Sequence, residues 1–265
     1  MKNNQKKFAP NRQIHTTQPS CPLPHAPMPS NGARYREIKA ILLDIDDTLL
    51  DFQLGSLQSM QHAFADMGLH FEPEMFDIFR NISNKLWHQI ETGELTREEL
   101  FEVRWNRILE VLGIEADGIA LEKIFHAYLQ QSAIPVDGAL SMLQYLHTRG
   151  YLLACASNAP EEQQLRRLRD AGMFSYLQDV FASEKIGYAK PDKRFFQACH
   201  TALCHKIPDL KPAQMLMIGD SVTADITGAQ AFGMHTIWFC RDPALSPCAH
   251  AEHTITSLYQ VRALL

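Results

Sequence analysis

The chain has 265 residues, of which 46% are hydrophobic and 21% are charged, and its formal net charge is −5 at pH 7. This length suffices for one α/β domain with a smaller inserted domain, and the composition is typical of globular proteins. A net negative charge gives no general attraction to nucleic acid or to anionic lipid. We therefore predict neither a nucleic-acid partner nor a membrane partner, and an anionic small substrate would need a local positive group.

The features that report on cellular compartment favour a cytoplasmic protein. No run of about 18 apolar residues occurs, and the N-terminal lysines are not followed by the apolar segment of a secretory signal. The six cysteines are irregularly spaced, which favours reduced thiols over a disulfide framework. The segment Cys199–His205 could hold a metal ion, but Cys199 shares a helical face with two phenylalanines and a leucine, which favours packing.

Residues 1–36 are predicted to be a disordered extension. They contain six of the 14 prolines of the chain, no acidic residue occurs before Glu37, and apolar periodicity is absent. A basic arm that contacts nucleic acid is the alternative interpretation, but a solvated tail fits this composition better.

The next part of the chain begins as a strand and continues as helices. A short apolar run at residues 40–43 ends in acidic residues, as expected for a buried parallel strand that opens into a site. Residues 53–132 are predicted to be almost entirely helical, because apolar residues recur there at helical spacing. Thr96 and Glu99 form a capping box that begins one of these helices.

After Pro135, apolar strands alternate with amphipathic helices. Four strands are predicted here, at residues 151–156, near residue 180, at 215–218 and at 236–239. This alternation predicts an α/β fold with a doubly wound parallel sheet. We therefore expect a core made of residues 37–52 and 133–265, with residues 53–132 inserted as a helical cap.

The sequence DIDDTLLD, residues 44–51, places three carboxylates within four positions at the end of the first strand. A polar turn is the alternative explanation, but a turn needs only one such side chain. Carboxylates this close repel one another in a low-dielectric crevice, and a divalent cation removes the repulsion. Clustered hard oxygen ligands suit Mg²⁺, which we predict as the cofactor.

Three later segments carry polar residues that could face the same edge of the sheet. They are Ser157 with Asn158, Lys190 within the sequence GYAKPD, and Asp220 with Asp225. A hydroxyl, backbone amides and an ammonium all favour a bound phosphoryl group. Taken alone, the serine would be a turn residue and the lysine a surface residue in most proteins, so their combination carries the prediction.

The order of these motifs resembles that of the haloacid dehalogenase-like hydrolases. In that family, an apolar strand precedes DxDxT, a second strand precedes Ser or Thr, a Lys-Pro pair follows, and a further strand precedes GDxxxxD. The resemblance extends from Ile41 to Asp225, and four linked motifs are far more specific than one. It implies a phosphatase, because the dehalogenase branch lacks a carboxylate at position 46 and the cation-pump branch carries lysine there.

The resemblance implies a role for each acidic motif residue. Asp44 would be the nucleophile that becomes a phospho-aspartate, and Asp46 would be the general acid and base. Mg²⁺ would have three ligands and one supporting residue, namely the Asp44 carboxylate, the Asp46 main-chain carbonyl, Asp220 and, in support, Asp225.

The same resemblance assigns the contacts to the substrate. Ser157 and Lys190 would complete the catalytic set by holding and neutralising the phosphoryl oxygens. Thr48 and Asn158 are placed with the substrate-binding residues, and the hydroxyl of Thr48 is also expected to orient Asp46.

The helical segment resembles the YjjG-type pyrimidine 5'-nucleotidase branch of the family. The resemblance lies in Asn84, Trp87, the sequence GELT, and Arg104 with Trp105, and continues in SEKIGYAKPD and GDSVTADITGAQAFGMHTIW. It implies a pyrimidine nucleoside monophosphate as substrate. Asn84, Trp87 and Arg104 are predicted to bind it, with both tryptophans stacking on the base. Packing within the cap and a surface salt bridge are the alternative roles.

Other functions remain open at this point. A sugar-phosphate or phosphoglycolate phosphatase would share the four motifs. A catalytically silent binding protein on the same scaffold would have no reason to keep a repulsive acidic cluster. A mutase is disfavoured because Thr48 stands where that branch commonly has glycine. The sequence leaves the preferred base and the oligomeric state undetermined.

Overall fold

The strands form one parallel sheet. The computed structural model describes residues 35–242 and 251–265, and these ranges contain six strands: β1 (Ala40–Leu43), β2 (Leu152–Ser157), β3 (Asp179–Ala182), β4 (Met215–Gly219), β5 (His235–Phe239) and β6 (His253–Ile255). Each strand is parallel to its neighbours, in the order β3-β2-β1-β4-β5-β6. The predicted doubly wound parallel sheet is confirmed, and its first strand lies near the middle.

Helices lie in the connections from β1 to β5, and one further helix follows β6. The described ranges contain α1 (Phe52–Asp66), α2 (Met75–Glu91), α3 (Arg97–Leu112), α4 (Gly118–Leu129), α5 (Ala139–Thr148), α6 (Glu161–Asp170), α7 (Ser183–Ile186), α8 (Lys193–Cys204), α9 (Gly228–Phe232) and α10 (Val261–Leu264). Short 3₁₀ turns lie at Phe174–Tyr176, Pro212–Gln214 and Leu258–Gln260, and a π-helical turn at Val222–Thr227. None of the helices in these ranges has the length and apolar character needed to cross a bilayer.

Both faces of the sheet are buried, which explains why its strands are continuous apolar runs. On one face, Ile41 and Leu43 of β1 belong to a cluster that includes residues of α5 and α10. On the other face, Leu42 belongs to a cluster with Phe195 and Cys199 of α8. The packing role predicted for Cys199 is therefore confirmed. The four cysteines within the described ranges are free thiols.

Helices α1 to α4 lie between β1 and β2, in the segment predicted to be the cap. Helix α4 packs against both α1 and α3, and α2 packs against α3. The predicted capping box is confirmed, because the Thr96 hydroxyl accepts from the Glu99 amide and the Glu99 carboxylate accepts from the Thr96 amide. The inner faces of these helices form their own apolar cluster.

The folded part of the chain begins earlier than the sequence predicts. Tyr35, assigned to the disordered extension, is 2% exposed, and its hydroxyl lies 2.7 Å from Nδ1 of His253 in β6. Strand β6 was missed because its three residues, HTI, contain no apolar run. Residues 1–34 of the predicted extension lie outside the described residues.

Trp105 is part of the cap interior and not a stacking surface, so that prediction is wrong. Its side chain is 1% exposed. Its ring centroid lies 5.3 Å from that of Phe79 and 5.2 Å from that of Phe125. Helical spacing placed Trp105 on an apolar face correctly, but that face meets other cap helices.

Trp105→Ala should lower the free energy of unfolding by about 3–5 kcal/mol, because it leaves a cavity among aromatic rings. Trp87→Ala is the matched control, since Trp87 is only partly buried, and it should lose less than half as much. Denaturant titration measures both values. Equal losses would contradict the placement of Trp105 in the cap interior.

Candidate active site

Three neighbouring strands end at one edge of the sheet, and each delivers a polar side chain there. Asp44 follows β1, Ser157 ends β2 and Asp220 follows β4. Because β1 lies between the other two strands, these side chains converge. The amide of Asp44 donates to the carbonyl of Ile218 at 2.9 Å, so the pairing of β1 with β4 extends into the site.

The ammonium of Lys190 is the centre of the charge network. Its Nζ lies 2.7 Å from Oδ1 of Asp44, 2.7 Å from Oδ1 of Asp225 and 2.7 Å from the carbonyl of Ala156. These three acceptors match the three donors of the ammonium, which is 3% exposed. Burial alone would lower the pKa of Lys190, but the Asp225 and Asp44 carboxylates outweigh it and raise that pKa.

Asp44, Asp220 and Asp225 form an acidic cluster that could hold a cation. One carboxylate oxygen of each lies within 4.8 Å of the other two, and no other such group of three or more His, Cys, Asp or Glu side chains occurs in the described ranges. Burial raises the pKa of Asp44 despite Lys190, and burial with the neighbouring carboxylates raises the pKa of Asp220. Hard oxygen donors under this mutual repulsion fit a divalent cation such as Mg²⁺.

Gly219 leaves room for the side chain of Asp225. A Cβ on Gly219 would lie 2.2 Å from Oδ2 of Asp225. That oxygen accepts a hydrogen bond from the amide of Ser221 at 3.0 Å. Asp225 is fully buried in the π-helical turn that follows β4. The glycine of the GD pair is therefore required for the carboxylate that binds Lys190.

Asp46 lies at the same edge but has different partners. Its Oδ1 lies 2.6 Å from Nη1 of Arg167, and its Oδ2 accepts from Nε2 of Gln164 at 2.6 Å, both from α6. The Asp46 side chain is 29% exposed and borders the cavity described below. The expectation that Thr48 orients Asp46 is wrong, because the hydroxyl of Thr48 is buried without a hydrogen-bond partner in the described part of the chain.

Asn158 holds the segment that carries Lys190. Its Oδ1 accepts from the amide of Lys190 at 2.9 Å, and its Nδ2 donates to the Lys190 carbonyl at 3.0 Å. The main-chain carbonyl of Asn158 accepts from Arg97 of α3 and from the hydroxyl of Ser183. The side chain of Asn158 therefore fixes the position of Lys190, and because Asn158 also borders the cavity described below, its contact with the substrate stays a prediction.

A cavity of about 410 Å³ extends from the strand ends to the helices of the cap. Asp44, Ser157 and Lys190 line the end at the sheet. Asn84 and Trp87, whose predicted role is to bind the substrate, line the end at the cap. The cavity therefore joins the polar strand ends to an aromatic surface.

Arg104 also borders this cavity, but its guanidinium is committed to Glu122. Its Nε donates to Oε2 at 3.0 Å and its Nη2 to Oε1 at 2.5 Å. The two side chains are 1% and 6% exposed, so the pair is neither a surface salt bridge nor a free substrate contact. The predicted role of Arg104 is corrected to packing within the cap, where its Cζ lies 4.9 Å from the ring centroid of Phe125.

Several residues of the site were not predicted from the sequence. Arg97 borders the cavity and reaches across to the core, and its position directly after the N-cap residue Thr96 is the signal that could have indicated it. His88 and His126 also line the cavity from the cap, and burial lowers the pKa of His126. No local pattern indicates Gln164 and Arg167, because their role depends on which face of α6 meets β1.

One class of hydrolases combines this sheet topology with a helical insertion and with acidic residues at the strand ends. The sequence profile of the haloacid dehalogenase-like hydrolases matches residues 38–233. The chain therefore belongs to this family, as its motifs predict.

One relative is similar to this chain both in sequence and in its solved structure. The HAD-hydrolase YfnB of Bacillus subtilis (strain 168) is 33% identical over 231 residues, which are 87% of this chain and 93% of YfnB. A crystal structure of YfnB bound to magnesium, which reveals interdomain movement, matches with a TM-score of 0.76 at 31% identity, over 86% of this chain and 98% of that chain.

Two further relatives are pyrimidine 5'-nucleotidases. PynA of Streptococcus pneumoniae (strain ATCC BAA-255 / R6) is 32% identical over 201 residues, covering 76% of this chain and 83% of PynA. YjjG of Escherichia coli (strain K12) is 27% identical over 226 residues, covering 85% of this chain and 96% of YjjG. The branch that the cap sequence resembles is thus present among the relatives.

Lys190→Met should lower the free energy of unfolding of the metal-free protein by about 3–5 kcal/mol, because it leaves buried carboxylates without a counter-charge. Lys185→Met is the matched control, since that lysine is 69% exposed in its pair with Glu161, and it should change stability far less because exposed ion pairs contribute little. Denaturant titration in a chelator measures both. If the two variants were equally stable, Lys190 would not be the balancing charge.

Proposed function

We propose that the protein is a phosphomonoester hydrolase that forms a phospho-aspartate on Asp44. The observation that carries this proposal is the convergence of Asp44, Ser157 and Lys190 at the sheet end of the cavity. The carboxylate of Asp46, two residues after the nucleophile, supports phosphoryl transfer over carbon–halogen cleavage. The named activities of PynA and YjjG support the same reaction class.

Ser157 and Lys190 are suited to hold the phosphoryl group. The Oγ of Ser157 accepts from the amide of Ala159 at 3.1 Å and from Nε2 of Gln164 at 3.0 Å. Since both lone pairs of this oxygen are used, its proton is available to a phosphoryl oxygen. The buried ammonium of Lys190 adds a positive charge that strengthens binding of the transferring group.

The reaction has two steps that use the two acids differently. In the first, a carboxylate oxygen of Asp44 attacks phosphorus, the bond to the ester oxygen breaks, and Asp46 donates a proton to that oxygen. In the second, water attacks the phosphorus of phospho-Asp44, Asp46 accepts a proton from the water, and phosphate leaves.

The acidic cluster is suited to hold the cofactor. Asp44, the carbonyl of Asp46 and Asp220 would bind Mg²⁺, with Asp225 in support. When bound, the ion supplies positive charge that offsets the charges of the phosphoryl oxygens and of the attacking carboxylate. The magnesium-bound structure of YfnB supports this choice of ion.

Asp44→Asn tests the nucleophile. The wild-type protein should hydrolyse p-nitrophenyl phosphate, should lose this activity in a chelator, and should regain it with MgCl₂. Asp44→Asn keeps the side-chain volume but removes the attacking charge, so turnover should fall at least about a thousandfold. Asp170→Asn, an exposed change on α6, should leave turnover unchanged. A variant at position 44 that keeps more than about a tenth of the activity would contradict the assignment.

We further propose that the substrate is a nucleoside monophosphate with a pyrimidine base. Trp87 and Phe101 offer aromatic rings at the cap end of the cavity, and Asn84 offers an amide. Flat apolar rings suit a nucleobase, and an amide can both donate to and accept from its polar edge. The two pyrimidine 5'-nucleotidases among the relatives support the same substrate class.

Pyrimidine nucleoside monophosphates should therefore be hydrolysed with higher kcat/KM than glycolate or hexose phosphates. Trp87→Ala should reduce this preference by about tenfold, because a stacking surface is lost, while kcat/KM for p-nitrophenyl phosphate falls much less. Tyr259→Ala, an exposed aromatic change outside the cavity, is the control. Comparable efficiency on sugar phosphates would instead favour the sugar-phosphate phosphatase alternative.

A further inference from the structure

Two buried side chains of α6 hold the carboxylate of Asp46. Nη1 of Arg167 lies 2.6 Å from Oδ1, and Nε2 of Gln164 lies 2.6 Å from Oδ2. Arg167 is 1% exposed and Gln164 is 0% exposed, although the Asp46 side chain they hold is 29% exposed at the cavity. Each carboxylate oxygen thus has its own donor from the protein side, which fixes the orientation of the group.

Arg167 and Gln164 are themselves fixed by further hydrogen bonds. Nη1 of Arg167 donates to Oε1 of Gln164 at 3.0 Å, and Nε2 of Gln164 also donates to Oγ of Ser157 at 3.0 Å. Nε of Arg167 donates at 2.7 Å to the carbonyl of Ser132, in the segment between α4 and α5. The Gln164 amide therefore uses both donors and its acceptor, and the arginine is anchored on the side away from Asp46.

We infer that Arg167 and Gln164 are positioning residues that aim Asp46 at the ester oxygen of the substrate. The inference rests on the proposed function, since aiming matters only if Asp46 transfers a proton. Both residues act through Asp46. Arg167 also ties Asp46 to the segment that follows the last cap helix, because the same guanidinium binds the carbonyl of Ser132.

If Arg167 and Gln164 position Asp46, the loss of kcat/KM on replacing them should depend on the leaving group of the substrate. Phenyl phosphate and p-nitrophenyl phosphate have similar shapes, but phenolate leaves less readily and depends more on protonation. Their kcat/KM values report phosphoryl transfer to Asp44 and exclude the later hydrolysis of the phospho-aspartate. Arg167→Met should lower kcat/KM for phenyl phosphate at least about tenfold more than for p-nitrophenyl phosphate. Arg167→Lys, which keeps a cationic donor, should restore part of the ratio.

Arg166→Met is the matched control. Arg166 is the adjacent arginine of α6, and it donates to the carbonyl of Gln130 close to Ser132. Its replacement removes a similar anchor without touching Asp46, so the ratio of the two kcat/KM values should stay at the wild-type level. Thermal melts of each variant show whether it is folded.

Gln164→Met keeps the inference testable if Arg167→Met does not fold, because it removes no buried charge. Loss of its bond to Ser157 should lower both kcat/KM values alike, whereas loss of its bond to Asp46 should change their ratio. Asp46→Asn should change the ratio in the same direction, and adding Arg167→Met to it should change the ratio no further.

The outcomes separate the inference from the proposed function. If Asp46→Asn changes the ratio but Arg167→Met and Gln164→Met do not, the positioning role is overturned and both residues are structural only. If the wild-type protein hydrolyses neither ester with Mg²⁺, or if Asp46→Asn leaves the ratio unchanged, the proposed function fails and the inference fails with it.

Discussion

The candidate site depends on the three hydrogen bonds that the buried ammonium of Lys190 donates. Its acceptors are Asp44 after β1, Ala156 in β2 and Asp225 after β4, so one side chain joins the ends of three strands. Buried charges persist only where partners compensate their desolvation. If all three carboxylates are ionised, they and the one ammonium leave two negative charges at the cluster, which is the charge that one divalent cation neutralises.

Two aspartates that are only two residues apart have separate charged partners. Asp44 pairs with Lys190, beside the acidic cluster, whereas Asp46 pairs with Arg167 of α6. Different surroundings are how neighbouring carboxylates acquire different roles in one reaction. The proposed division between nucleophile and acid therefore depends on α6 as much as on the motif itself.

The sequence predicts the sheet and the polar strand ends because both depend on local patterns. Apolar runs that end in Asp44, Ser157 or Asp220 indicate strands and their exits without any knowledge of packing. The predictions from sequence are wrong where the role of a residue depends on which side chain packs against it. Helical spacing places Arg104 on a particular face of α3, but only the packing of α4 shows that Glu122 faces it. For the same reason, the contribution of α6 could not be predicted.

Two of the contacts between the cap segment and the core differ in character. The side chain of Arg97, which is partly buried, reaches the carbonyl of Asn158, the residue that fixes Lys190. Arg167 is almost fully buried and binds both the carbonyl of Ser132 and Asp46. Water can replace a donor to an accessible carbonyl at little cost, whereas separating a buried ion pair is expensive. Asp46 is therefore held by its ion pair with Arg167, whether or not Arg97 contacts the carbonyl of Asn158.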